Sequence, residues 1–344
     1  MRAVVAYAAK DLRIEEVATP DVGPSEVRVR VGFGGVCGSD LHYFNHGGFG
    51  AVRLREPMIL GHEVAATIEE VGAAVTKVKP GDRVAVSPSL PCNACKYCLM
   101  GRQNQCLEMR FYGSAMRMPH VQGAFRESLV CAEEQVYRVS DGTSLEMAAL
   151  AEPLAVCVHA VRQSGDLVGR RVLVTGCGPI GVLVTLAARR VGALEIVATD
   201  LTDPTLQFAR KIGADRTVNT SSNPDALASY AQGKGYFDAA FEASGATSAL
   251  RNCIETVRPG GVIVQLGLAG GDMSVPMQMV TAKELQLRGS FRFHEEFAVA
   301  VDYIDKSMID VKPLISATLP FTRARDAFEL ANDRSKSMKV QLAF

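Results

Sequence analysis

Four cysteines crowd one short stretch: Cys92, Cys95, Cys98 and Cys106, in the pattern C-x2-C-x2-C followed by a longer gap. Four thiolates on one loop can surround a tetrahedral zinc and leave no coordination position open, so such a site holds structure and does no chemistry. A looser set of ligand-type residues lies upstream at Cys37, His62 and Glu63, in Gly35-Val36-Cys37-Gly38-Ser39-Asp40-Leu41-His42 and Gly61-His62-Glu63. A catalytic zinc takes three protein ligands and keeps one position for water or substrate. Cys37 and His62 are the best candidates in this half of the chain, and Glu63 and Glu152 compete for third place. Glu152 sits in Ala151-Glu152-Pro153-Leu154, where two domains are expected to join and an active-site cleft belongs.

A second chemical motif is Gly176-Cys177-Gly178-Pro179-Ile180-Gly181, which fits G-x-G-x-x-G. The motif alone is weak, but here it follows a predicted strand and opens a predicted helix, the context it requires. The glycines allow a tight turn, approach of the backbone to a pyrophosphate, and packing of helix on strand. The helix N-terminus offers free N–H groups and partial positive charge to the phosphates. Pro179 suits a first helical turn. Asp200 closes the next predicted strand, where a carboxylate receives the hydroxyls of an adenosine ribose and repels a 2′-phosphate. Asp203 adds negative charge, and no Lys or Arg lies between Asp200 and Arg210, so NAD is preferred to NADP.

The elements that must position these residues differ between the two halves. Met1 to Tyr7 and Glu26 to Val31 alternate apolar and polar residues, as do Val64 to Val71 and Asp82 to Val86, so half-buried strands are expected. The first part reads as a strand-rich, barrel-like domain whose loops carry Cys37, His62 and the cysteine cluster. Ser144 to Arg162 reads as helix broken at Glu152-Pro153. From Arg171 strands and helices alternate, which specifies a parallel sheet covered on both faces. The expected strands are Arg171–Thr175, Glu195–Thr199, Arg216–Asn219, Tyr236–Ala243 and Gly261–Leu266. A late helix from Glu295 to Lys306, another from Arg323 to Ala331, and a final alternating strand are expected to return to the first domain. The division reads as residues 1–153 with the cysteine lobe at about 90–110, a dinucleotide domain at 154–290, and a return segment at 291–344.

Composition narrows the field of function. The chain has 344 residues, 48 % of them hydrophobic, with 37 basic and 37 acidic side chains. The zero net charge argues against a surface built for nucleic acid or acidic membranes. No apolar run approaches the ~20 residues of a membrane span, and the N-terminus lacks a signal-peptide core, so a cytoplasmic location is expected. Nine cysteines cannot all pair within the chain, and clustered cysteines in a reducing compartment read as metal ligands. Cys131, Cys157, Cys177 and Cys253 lie among apolar residues and read as small core side chains.

These segments together resemble the zinc-dependent medium-chain dehydrogenases over the whole length, in the polyol branch that includes sorbitol dehydrogenase. Further stretches that carry the resemblance are Met109 to Met116, Ala151 to Val156, Leu287 to Phe293 and Lys339 to Leu342. The resemblance implies a GroES-like catalytic domain and a Rossmann doubly wound sheet, an α/β architecture with a β-rich part. It implies two zinc ions per chain. One would be held by Cys37, His62 and Glu63, with Glu152 close by as an alternating ligand or holder of water. The other would be structural, on Cys92, Cys95, Cys98 and Cys106. NAD would contact Gly176, Gly178, Pro179, Ile180, Gly181, Asp200, Leu266, Ser290 and Phe291. Tyr43, Tyr112 and Arg292 would touch substrate hydroxyls.

The implied reaction oxidises a secondary alcohol of a polyol or sugar acid to a ketone, with L-idonate to 5-keto-D-gluconate the expected case. Sorbitol, xylitol and threonine are the alternatives. The alcohol loses its proton under the influence of the cation, hydride passes to NAD, and the proton leaves through Ser39 and a cofactor ribose hydroxyl to His42, whose ordinary pKa suits a shuttle. A substrate carboxylate would call for Arg110, Arg117, Arg292 or His120. The expected partners are a small-molecule substrate and further copies of the chain, as a homodimer or homotetramer joined through the edge at Glu284 to Ser290.

Overall fold

The strand Glu26–Gly35 shows why the first part of the chain folds as it does. Val27, Val29 and Val31 are buried while Arg30 faces water, so alternation in sequence becomes two faces of a sheet. A computed structural model describes residues 1–268 and 270–344 and divides them into two compact units: Met1–Glu152 with Phe293–Phe344, and Pro153–Arg292. No helix among the described residues is long and apolar enough to cross a membrane.

The first unit is built on a seven-stranded sheet. Its order runs Val136–Arg138, Arg83–Val86, Glu63–Val71, Glu26–Gly35, Lys339–Ala343, Ile315–Pro320, with Ser128–Ala132 pairing to the other end of Glu26–Gly35. The C-terminal strand therefore completes the sheet that the first residues begin. Phe44, Phe125 and Phe328 fill the core beside the valines. Register places the chemistry. Gly35 pairs with Glu63, and Gln341 pairs with the same Gly35. The turn after Gly35 carries Cys37, and His62 precedes Glu63, so two strand ends bring three ligand-type residues together. The helix Gly38–His46 starts directly after Cys37 and ends at Gly47, whose N–H donates to Tyr43 O at 2.9 Å.

The second unit holds a six-stranded, wholly parallel sheet. Its order is Arg216–Asn219, Glu195–Asp200, Arg171–Thr175, Phe237–Glu242, Val257–Gln265, Gln286–Gly289. The order reverses between Arg171–Thr175 and Phe237–Glu242, the switch point outside which ligands bind in such sheets. Helices Pro179–Arg190, Asp203–Lys211 and Thr247–Thr256 connect the strands. Leu173, Val197, Phe237, Ala240 and Ile263 form its core with Ile254 from a covering helix.

Two expected elements shift. The helical stretch breaks at Ala149-Leu150, and the helix Ala151–Ser164 runs through Glu152 and Pro153. Pro153 lies in the first turn, where N–H groups have no intrahelical partner, so its missing N–H costs no bond. The strand expected from Gly261 begins at Val257, because the turn residues Arg258 to Gly261 are carried within it as a register irregularity opposite Phe237 and Ala239.

Candidate active site and metal centres

The Cys37, His62 and Glu63 ligand atoms lie within 4.8 Å of one another in the first unit. His62 and Glu63 are buried, Cys37 partly so. Burial, and then the Glu63 charge, push the Cys37 thiol up to about 12, which only partly reflects the opposing pull of Lys339. A cation at this point would reverse that logic, since a coordinating thiol is deprotonated outright. Glu152 is 5 % exposed; its acid is pushed up to about 8 by burial, against the pull of His62 and with Glu63 and Cys37 adding to the rise. A thiol and a carboxyl that resist ionisation, Cys37 and Glu152, beside the side chain of Glu63 make a site that gains from a dication.

Two residues that the sequence reading gave no role support these ligands. Asp40, wholly buried, accepts the Cys37 N–H at 3.0 Å and the Gly61 N–H at 3.1 Å, and its Oδ1 lies 3.8 Å from His62 Nδ1. It thus ties both ligand-bearing turns together and stands beside the imidazole of His62, whose Nδ1 has no hydrogen-bond partner among the described residues. Its place as third residue of a helix that Cys37 precedes was the available signal. Lys339, 3 % exposed, donates to both oxygens of Glu63 at 2.7 Å and to Val36 O at 3.2 Å. Burial works against its ammonium, but Glu63 and then Cys37 overcompensate and hold its pKa above the usual value. A lone lysine on an inward-facing strand position was the sign of that pair.

In the lobe, Cys92 Sγ and Cys106 Sγ lie 3.4 Å apart, Cys95 Sγ and Cys98 Sγ 3.6 Å apart, and all four within 4.8 Å. Tetrahedral zinc with Zn–S bonds of about 2.3 Å places sulfurs roughly 3.8 Å from one another, so the cluster has the size of the ion. Backbone N–H groups of Cys92, Cys95 and Glu108 donate to these sulfurs. Such bonds, from Cys98 and Leu107 first, draw Cys95 down to about 6, while burial sends Cys98 up to about 12. The other cysteines, Cys131, Cys157, Cys177 and Cys253, are all buried.

The second unit carries the dinucleotide fingerprint. Gly176 adopts φ +86°, and a Cβ on Gly181 would stand 1.7 Å from Gly176 O, so the third glycine is required by the turn itself. Gly178 precedes the helix Pro179–Arg190. Asp200 accepts the Cys177 N–H at 2.6 Å and the Leu201 N–H at 2.7 Å, which locks the turn to the end of its strand. Leu266 N donates to Glu242 O and Ser290 N to Gln265 O, both at about the ends of neighbouring strands; the Ser290 hydroxyl is buried without a hydrogen-bond partner among the described residues. Phe291 is 39 % exposed, with the Arg292 guanidinium 4.9 Å from its ring centre.

The remaining expected residues fall as follows. Ser39 and His42 stand three apart on the helix Gly38–His46, hence on one face. His42 is exposed against Phe49, and burial, then His46 and Arg334, push its pKa down. Tyr43 is 2 % exposed and its hydroxyl accepts the Ala115 N–H at 3.0 Å. The Tyr112 hydroxyl donates to Gln135 Oε1 at 3.1 Å, and burial raises its pKa. Arg110, Arg117 and His120 line a cavity of about 500 Å³ with Glu108 and Cys92. His120 is engaged at both ring nitrogens, by the Arg55 N–H and the Arg117 carbonyl, and Arg117 pairs with Glu108.

A convergent Cys-His-Glu set, a closed four-sulfur lobe and a dinucleotide fingerprint define a metal-dependent dehydrogenase. Residues 23–141 match the family described as the alcohol dehydrogenase GroES-like domain, and residues 179–306 match that of the zinc-binding dehydrogenases. The chain belongs to the zinc-dependent medium-chain dehydrogenases of the polyol and sugar-acid type, whose neighbours use zinc and NAD or NADP. It is 42 % identical to L-idonate 5-dehydrogenase (NAD(P)(+)) of Escherichia coli K12 over 92 % of this chain and 91 % of that protein. It is 35 % identical to sorbitol dehydrogenase of Gallus gallus over 99 % and 95 %. The crystal structure of L-idonate 5-dehydrogenase from Escherichia coli superposes with a TM-score of 0.96 at 40 % identity, covering 100 % of this chain and 98 % of that one.

Proposed function

We propose that this dehydrogenase oxidises the secondary alcohol of a sugar acid, L-idonate to 5-keto-D-gluconate, with NAD as acceptor. The observation that carries the chemistry is the convergence of Cys37, His62 and Glu63 within 4.8 Å. Similarity to L-idonate 5-dehydrogenase over nine-tenths of both chains supports the substrate. Zinc held by those three residues would supply Lewis acidity, and NAD would take the hydride. Cys37 and Glu63 bring negative charge to the cation, Asp40 ties together the turns that carry Cys37 and His62, and Lys339 holds Glu63 in place. Glu152, buried beside them, holds or releases a proton. Ser39 and His42, on one helical face, pass the substrate proton toward solvent. Tyr43 and Tyr112 would have to exchange their present partners, the Ala115 N–H and Gln135 Oε1, to bond a substrate hydroxyl. In the first unit Arg110 is the carboxylate partner of choice, because Arg117 and His120 are already engaged.

The similarity to sorbitol dehydrogenase sustains a second reading, an uncharged polyol as substrate. A panel of L-idonate, sorbitol, xylitol and threonine with NAD and NADP, and 5-keto-D-gluconate with NADH, decides. Turnover with L-idonate and 5-keto-D-gluconate well above the rest, lost on chelation, supports the proposal; preference for sorbitol or xylitol replaces it with the second reading. The exposed edge strand Gln286–Gly289 is the surface through which copies of the chain would join, and sedimentation of a variant with proline at Leu287 tests this.

A further inference from the structure

Glu242 ends the strand Phe237–Glu242 and is 0 % exposed. Its carboxylate is surrounded by donors. Oε1 receives the Ser244 N–H at 2.8 Å, the Ser244 hydroxyl, the Gly245 N–H at 3.1 Å and the Thr175 hydroxyl at 3.4 Å. Oε2 receives the Gly245 N–H at 3.0 Å and the Gln265 amide at 2.5 Å. No Lys or Arg among the described residues forms an ion pair with it. A buried carboxylate that meets donors only, and no counter-cation, has its lone pairs satisfied by neutral hydrogen-bond partners rather than by an opposite charge. Its negative charge is therefore not cancelled locally and reaches into whatever binds nearby.

What binds nearby follows from the topology of this unit. Thr175, the last residue before the Gly176 turn, pairs with Glu242 in the sheet, at the point where strand order reverses. Asp200 lies on one side of Arg171–Thr175 and suits the adenosine ribose. The pyrophosphate belongs at the Gly176 to Gly181 turn, so the nicotinamide half must extend over the other side, past Glu242 and Gln265. The oxidised nicotinamide carries a positive charge that the reduced ring lacks, while the pyrophosphate charge is the same in both.

We propose that Glu242 is a positioning and electrostatic residue that biases the cofactor site toward oxidised NAD over NADH. This rests on the reading of the second unit as the NAD site. Charges about 10 Å apart at an effective dielectric of about 20–40 shift the ratio of dissociation constants roughly tenfold. The same bias speeds release of NADH after oxidation, at the cost of holding the bound equilibrium toward NAD and alcohol.

The test measures Kd for NAD and for NADH by calorimetry on the full-length protein without substrate, alongside its melting temperature. Glu242→Gln removes the charge, and Gln265→Lys neutralises it from the adjoining strand while keeping every acceptor. Glu242→Asp keeps the charge with a shorter reach. The ratio Kd(NADH)/Kd(NAD) should fall roughly tenfold in the first two variants and stay at the wild-type value in the third, even where both constants weaken together. An unchanged ratio in a folded Glu242→Gln or Gln265→Lys protein overturns the proposal while leaving the NAD site intact. Wild-type protein that binds neither form overturns the cofactor reading and the proposal with it.

Discussion

Replacing Lys339 by methionine isolates the pair that braces the metal site. Lys339 is 3 % exposed and donates to both Glu63 oxygens at 2.7 Å. Methionine keeps the length of the side chain and removes the one cation paired with Glu63 among the described residues. Breaking a buried pair from one side costs about 3–5 kcal/mol, because the other charge stays in the interior without compensation. For a unit of about 200 residues, with an unfolding entropy near 2.1 cal/mol/K per residue, that is a fall in melting temperature of roughly 7–12 °C. The fall should be full in metal-free protein. It should be smaller after zinc is added, since a dication beside Cys37 and His62 gives Glu63 a new counter-charge. Calorimetry of wild type and Lys339→Met, each with and without zinc, reads all four values. Equal losses in the two forms, or no loss in metal-free protein, would refute the argument that Lys339 and the metal share Glu63.

Three further outcomes are expected. Cys98→Ser should lower bound zinc from about two to about one per chain and lower the melting temperature, with turnover at 25 °C largely kept, because the closed lobe does structural work only; elemental analysis and activity of the same sample check it. Asp200→Ala should raise KM for NAD by about 10–100-fold, the worth of charged hydrogen bonds to the ribose, and narrow the gap to NADP; part of the loss will come from the freed Cys177 N–H, which Asp200 now holds at 2.6 Å. His42 accepts a proton only when neutral, and its pKa lies below the ordinary value of about 6.5, so activity should hold at neutral pH and fall as pH drops through that lowered pKa. His42→Asn should lose about tenfold in kcat and lack this acid limb, as the pH–rate profiles of the two proteins will show.

The sequence was most informative where local pattern and chemistry coincide. C-x2-C-x2-C needs only one loop, and the lobe's sulfurs stand at ligand spacing in the structure. G-x-G-x-x-G flanked by Arg171–Thr175 and Pro179–Arg190 specified a strand, a turn and a helix in contiguous residues. Cys37 and His62 lie far apart in the chain, and no local rule joins them; the pairing of Gly35 with Glu63 does. Lys339 was harder still, since its partner is 276 positions away and only the return of the last strand brings them together. Pro153 misled because a proline marks either a helix end or a helix start, and the neighbours that decide are tertiary. The present hydroxyl partners of Tyr43 and Tyr112, Ala115 N and Gln135 Oε1, could not be read from sequence because they sit on distant segments.

The account stands most directly on the metal content and turnover of Cys37→Ala beside the wild type. About two zinc ions per wild-type chain, about one in the variant, an unchanged fold by circular dichroism and no measurable NADH formation are the expected result. A folded Cys37→Ala protein that keeps wild-type turnover on the lobe zinc alone would contradict it.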